Sequence, residues 1–319
     1  MRRIAALALP VAIVATLLAG CGGGSAPPTA NVNVNVTGAF GKNPAVHIPK
    51  VKPSSHLLVK TVVKGNGPQL GQGDVFVGNY VGYVWSGTTS TLKVDTFTQP
   101  TPSLFPPGAQ LLKGLKQALV GQRTGSRVLA VIPPADGYGA QGNPQGGVKA
   151  TDTLVFVVDL IKSYAATASA GGQQVSTGGG TLPAVGNAQG SAPSVTIPNA
   201  APPTTLAVRT LIKGTGPKVG KGQLIVVQYV GVIWASKKLF DSSWRNGAPL
   251  GFTVGATPSQ VIPGWDLGLV GQTIGSRVLL VIPPADGYGK AGNTQAGIKG
   301  TDTLVFVVDI LGAYGPAAA

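Results

Sequence analysis

Residues able to do covalent or metal chemistry are few in this chain. It has two histidines, His47 and His56, both in one proline-containing stretch near the start, and a single cysteine, Cys21. One Cys excludes a disulfide framework and a Cys-based metal site. Two His leave little for metal binding or His-assisted nucleophilic catalysis. What the C-terminal half offers instead is a set of separated aromatic and polar residues: Tyr229, Phe240 beside Asp241, Trp265, Tyr288 between two glycines, and Phe306. Taken singly, Trp265, Phe240 and Phe306 read as core, Asp241 before Ser242 and Ser243 as a turn or capping residue, and Tyr288 as part of a turn. Chemistry made from such residues would be noncovalent.

The elements that must position them occur twice. SRVLAVIPPADGYG at 126–139 returns as SRVLLVIPPADGYG at 276–289, and TDTLVFVVD at 151–159 returns unchanged at 301–309. Tyr80-Val-Gly matches Tyr229-Val-Gly, so the offset is 149 residues early in each copy and 150 late. Each unit is about 110 residues, too large for a solenoid repeat and right for an independent domain. Within a copy, Gln223–Trp234, Arg277–Ile282 and Leu304–Leu311 are rich in β-branched and aromatic residues and read as strands. Turn chemistry separates them at Gly214–Pro217, Pro283-Pro284 and Asp286-Gly287. One segment per copy suits a helix, around Lys113–Leu119 and Pro263–Leu269. Antiparallel strands with one short helix packed on a face predict an α+β domain. Gly214-x-Gly-Pro-x-x-Gly220 has the wrong spacing for a nucleotide loop.

Outside the copies the composition changes. Met1-Arg2-Arg3 and the apolar run Ile4–Leu18 predict a secretory signal over 1–20, too short to span a bilayer comfortably. Leu18-Ala19-Gly20-Cys21 resembles the lipobox of bacterial lipoproteins. That resemblance implies lipidation of Cys21, export, and anchoring to the outer face of the cytoplasmic membrane. A plain signal peptide with an incidental Cys21 is the alternative. Residues 21–56 and 165–203, low in complexity and rich in Gly, Ala and Pro, predict a flexible tether and a flexible linker. A coil of the linker's length has an end-to-end distance of roughly 35 Å, enough for nearly independent domains. The expected domains are therefore 57–164 and 204–315. Charged residues make up only 11% of the chain, and its net charge of +14 is spread singly. Aromatic residues do not interleave with the basic ones, so nucleic acid is not expected as a partner.

In combination, the second copy resembles the FKBP-type peptidyl-prolyl cis–trans isomerases. The residues that carry the resemblance are Tyr229-Val-Gly, Phe240-Asp241, Val261-Ile262-Pro-Gly-Trp265, Ile282-Pro-Pro, Tyr288-Gly and Leu304-Val-Phe306. The family implies a twisted antiparallel sheet wrapped over a short helix, with an apolar cleft between them that receives a prolyl side chain. By that likeness Trp265 floors the cleft, and Tyr229, Phe240, Val261, Ile262 and Phe306 wall it. Ile298 is a further wall candidate. Tyr288 and the Ile262 N–H offer hydrogen bonds to a substrate carbonyl, while Asp241 orients groups at the edge. Trp265, Asp241 and Tyr288 are the expected catalytic set, and neither metal nor cofactor is implied. Expected partners are proline-containing polypeptides and macrolides. A non-catalytic peptide-binding or chaperone module using the same cleft is the alternative.

The first copy departs from this pattern. Leu115 stands for Trp265, Leu111-Leu112 for Val261-Ile262, and Val94 for Phe240, while Tyr80, Asp95, Tyr138 and Phe156 are kept. Weak or absent activity is expected there. In the second copy Leu250 stands where an aromatic is common in the family, which weakens the case for tight macrolide binding.

Overall fold

A computed structural model describes residues 33–105, 111–186 and 188–316. The expected signal peptide and Cys21 lie outside the described residues. The first copy contains β1 (Asn35–Thr37), β2 (Ala45–His47), β3 (Leu58–Val63), β4 (Val75–Ser86), β5 (Thr89–Asp95), β6 (Ser103–Phe105), α1 (Lys113–Leu119), β7 (Arg127–Ile132) and β8 (Thr153–Tyr164). The second contains β9 (Gln173–Gln174), β10 (Ala184–Val185), β11 (Val195–Thr196), β12 (Ala207–Lys213), β13 (Leu224–Ile233), β14 (Leu239–Ser242), β15 (Leu250–Thr253), α2 (Pro263–Leu269), β16 (Arg277–Ile282) and β17 (Leu304–Tyr314). The main sheets are antiparallel and run in equivalent orders: β3-β7-β8-β4-β5 with β6 on β4, and β12-β16-β17-β13-β14 with β15 on β13. In the second, β9 extends the edge beside β12.

Strand β13 shows why the sheet forms. Its alternate residues Ile225, Val227, Tyr229 and Ile233 face α2 and pack with Trp265, Leu269, Leu280 and Phe306. Pro263 starts α2 with its φ already set for the first turn, and Gly264 lets the helix approach Ile282 closely. The remaining residues of β13 point to the other face and are also buried. A strand buried on both faces reads as a continuous apolar run instead of an alternating one.

What covers the second face is the low-complexity sequence. The tether and the linker were expected to be flexible coil, but their described residues form hairpins laid on the sheets. The β1–β2 hairpin brings Val34, Val36, Val46 and Ile48 onto Trp85, Leu129, Val155 and Val157. The β10–β11 hairpin brings Val185, Val195 and Ile197 onto Leu211, Trp234, Leu279 and Val305. Each strap is pinned by a buried ion pair. Arg127 pairs with Asp159 at 2.6 and 2.8 Å and donates to the carbonyls of Gly38 at 2.8 Å and Lys42 at 2.5 Å. Arg277 pairs with Asp309 at the same two distances and donates to the Ala188 carbonyl at 3.0 Å. The indoles of Trp85 and Trp234 donate to the Val51 and Ala200 carbonyls, both at 3.1 Å. These contacts fall at matching positions, so the repeated unit begins with its strap and is longer than 57–164 or 204–315.

The two halves also touch. Val75, Val77 and Tyr164 form one apolar cluster with Leu224 and Val226, the Tyr164 and Tyr314 hydroxyls hydrogen-bond, and Gln228 Nε2 donates to the Ala166 carbonyl at 2.7 Å. Packed contact replaces the nearly independent movement expected of a 39-residue coil.

Candidate functional site

The second half gathers the expected residues at one cleft of about 160 Å³, lined by Tyr229, Phe240, Asp241, Leu250, Gln260, Val261, Ile262, Trp265, Tyr288 and Phe306. Each comes from an element with a reason to be there. Trp265 lies in the first turn of α2, buried to 3% exposure at the base of the cleft. Its ring meets Tyr229 edge-on at 5.1 Å, Phe306 edge-on at 5.1 Å, and Phe252 at 5.5 Å. Edge-to-face pairs of this kind add about 0.5–1.5 kcal/mol each beyond area burial, which holds the floor rigid. The buried indole Nε1 has no partner among the described residues.

Phe240 stands on β14 and meets Phe306 edge-on at 5.5 Å. Gly231 makes this possible, because a Cβ there would lie 2.8 Å from Phe240 and 2.9 Å from Phe306. Asp241 follows on the same strand. It accepts the Tyr229 hydroxyl hydrogen bond, the Ser242 N–H at 2.8 Å and the Asn246 amide at 3.1 Å, with Arg245 loosely placed at 3.9 Å. Burial, then the bond to Asp241, pushes the Tyr229 hydroxyl well above its ordinary value of 10.0. Tyr229 therefore stays a neutral donor, held by Asp241 against the cleft wall.

Val261 and Ile262 lie on the segment entering α2. Asp266, in the helix's first turn, accepts the Gly255 N–H at 2.7 Å and the Ser259 hydroxyl at 2.5 Å, and Gln260 Oε1 accepts the Thr253 N–H at 2.9 Å. An acidic residue at a helix start is favoured by the unpaired N–H groups there. The loop is thus tied down on both sides of Val261. Among the described residues the Ile262 N–H has no protein acceptor. Tyr288, 36% exposed, precedes the short turn of 3₁₀ helix at 289–291 and lines the cleft.

Ile298 differs from expectation. It is 3% exposed, bridged to Asn293 and packed in the core, and it is not among the lining residues. The hydrogen bonds between Asn293 and Ile298 close that loop inward. Gln260 was missed, since an amide in a loop gives no signal in the sequence alone.

In the first half the retained letters make a different site. A cleft of about 200 Å³ is lined by Tyr80, Val94, Tyr138 and Phe156, together with Tyr83, Lys93, Asn143, Val148 and Leu154. Leu115 is buried, and Phe105 packs edge-on against Tyr80 at 5.5 Å while stacking on Phe76 at 4.3 Å. Asp95 accepts from the Asn43 amide at 2.7 Å and the Phe97 N–H at 2.9 Å, and among the described residues no hydrogen bond joins it to the Tyr80 hydroxyl.

The FKBP-type peptidyl-prolyl cis-trans isomerase family model matches residues 67–161 and 216–311. An FK506-binding protein of Streptomyces anulatus is 41% identical over 119 residues, covering 37% of this chain and 94% of that protein. A probable FK506-binding protein of Corynebacterium glutamicum is 34% identical over 121 residues, covering 38% of this chain and 98% of its own. Among solved structures, the crystal structure of AtFKBP13 is 37% identical and covers 35% of this chain and 95% of that one, with a TM-score of 0.31.

Proposed function

We propose a division of labour for this chain, which belongs to the FKBP-type peptidyl-prolyl cis–trans isomerase family and carries two of its domains: the second half turns over substrate and the first is degenerate. The reaction is rotation about an X-Pro bond. Its barrier is about 18–20 kcal/mol, because the planar amide has partial double-bond character. A catalyst must bind the twisted amide better than either planar isomer. The prolyl ring sits on Trp265 between Tyr229, Phe240 and Phe306, where the surroundings are apolar. Such surroundings disfavour the charge-separated resonance form that keeps the amide flat. The Ile262 N–H and the Tyr288 hydroxyl receive the substrate's carbonyl oxygens, and Asp241 acts through Tyr229 by fixing its ring. No bond to the protein forms and no proton need move.

The observation that carries this reading is the packed aromatic floor around Trp265, which the first half lacks. There Leu115 replaces it and Asp95 turns to Asn43, so the first half is proposed to bind peptides or to support its neighbour without appreciable turnover. A protease-coupled isomerisation assay on the whole chain tests it. Trp265→Leu is expected to remove most of the rate, and Tyr138→Phe to leave it nearly unchanged. Full activity in Trp265→Leu would transfer the function to the first half.

Macrolides such as FK506, which the relatives are named for binding, are proposed to enter the same cleft, with affinity reduced where Leu250 replaces an aromatic. The segment Leu18-Ala19-Gly20-Cys21 after the apolar run supports export and lipid attachment at Cys21, with clients among exported proline-containing polypeptides. Labelled fatty acid incorporated into the wild type but not into Cys21→Ala is the expected result.

A further inference from the structure

The contact between the halves has an internal symmetry. By register, Val77 on β4 is paired with Leu104 on one side and Lys162 on the other, and Val226 on β13 is paired with Gly251 and Gly312. Leu104 is therefore the counterpart of Gly251, and Lys162 of Gly312. Tyr164 and Tyr314, whose hydroxyls bond to each other, are counterparts 150 residues apart. Leu104 and Gly251 meet as well: a Cβ on Gly251 would overlap the Leu104 side chain. Where counterparts touch counterparts, a two-fold axis relates the halves, and a contact of that kind is self-complementary when the partners are identical.

Here they are not identical. The second half supplies two hollows, Gly251 and Gly312, and the first supplies what fills them, Leu104 and the Tyr164 hydroxyl. At the matching places the first half carries Leu104 and Lys162 and has no hollows. Two first halves brought together would oppose Leu104 to Leu104 and Lys162 to Tyr164. Two second halves would leave the hollow at Gly251 unfilled. Voids and overlaps both destabilise a packed surface, and specificity between similar partners is commonly built from such clashes.

We propose that this face is a recognition surface for the unlike half: it pairs the first domain with the second and rejects like with like. It has the layout of a symmetric dimer contact made one-sided by size. The partner it fits is the other half of the same chain.

A size exchange tests this on residues 33–319, which contain every contact described here and lack Cys21. Cysteines replacing exposed Lys116 and Leu267 on the two helices carry spin labels, one per half. The wild type is expected to give one narrow distance distribution and a monomeric mass. Gly251→Leu alone should broaden the distribution, and Leu104→Gly alone should lower the denaturation midpoint. Leu104→Gly with Gly251→Leu, which moves the knob to the other side, should restore the narrow distribution. A distribution unchanged by Gly251→Leu would overturn the proposal, and so would a double variant no narrower than Gly251→Leu. If Gly251→Leu fails to fold, the double variant decides, since it carries the same Leu with its opposing side chain removed. A dimeric wild type would also count against it, because like surfaces would then be pairing.

Discussion

Trp265 concentrates the consequences at the residue scale. Its ring is held by three aromatic neighbours, so Trp265→Leu removes both a floor and a brace. A loss of about 2 kcal/mol in stability is expected, with kcat/KM down at least about ten-fold, or roughly 1.4 kcal/mol in the transition state. Denaturant titration beside the isomerisation assay separates the two effects. Tyr288→Phe removes one hydroxyl from the cleft lining, and a hydrogen bond of about 1 kcal/mol corresponds to a roughly five-fold lower kcat/KM with stability unchanged. The second-half cleft was legible from the letters because its aromatics are numerous enough to specify each other's positions. Asp95 was legible only as a letter. Its counterpart Asp241 holds Tyr229, while Asp95 itself is taken by Asn43, a partner 52 residues away that no local pattern announces.

Among elements, the straps teach the most. A fully buried Arg–Asp pair in each half holds them through its remaining bonds: Arg127 and Arg277 donate to strap carbonyls, and Asp159 and Asp309 accept the Gly41 and Ala170 N–H groups. Removing one charge of such a pair strands the other, so Asp309→Asn should cost about 3–5 kcal/mol and free the β10–β11 hairpin. Limited proteolysis should then cut between 176 and 200 faster than in the wild type. Equal cutting rates would mean that the apolar contacts alone hold the strap. The three long strands named in the second copy and both helices followed from strand runs and turn residues, whereas the order of the strands in the sheet did not. Nor did the straps: the alternation Asn31-Val-Asn-Val-Asn-Val36 has the period of a strand but too little bulk to show that it buries anything, and Gly, Ala and Pro leave the rest without a period. The hint lay elsewhere, in β13: ten consecutive buried residues need cover on two sides, and one helix covers only one.

At the scale of the whole molecule, pH reads the joined state. Tyr164, Tyr314 and Tyr229 all have hydroxyls pushed above the ordinary value of 10.0, chiefly by burial. A group whose pKa rises on folding gives stability that is complete below its unfolded value and fades as pH climbs past it. The protein should hold its urea midpoint up to about pH 10 and lose it steadily above. Tyr164→Phe with Tyr314→Phe should flatten that decline relative to the wild type, and an identical slope would exclude the joint as a source of alkaline sensitivity. The straps have one more consequence, in the order of synthesis. The N–H of Gly41 finds its acceptor on Asp159, 118 residues later, and the Gly38 carbonyl its donor on Arg127, 89 residues later. The part of each half made first is thus the last to find its place. A chain made from its N-terminus cannot complete its first domain until Asp159 has been added, so the bond that seats its earliest strap waits on the last strand of that domain.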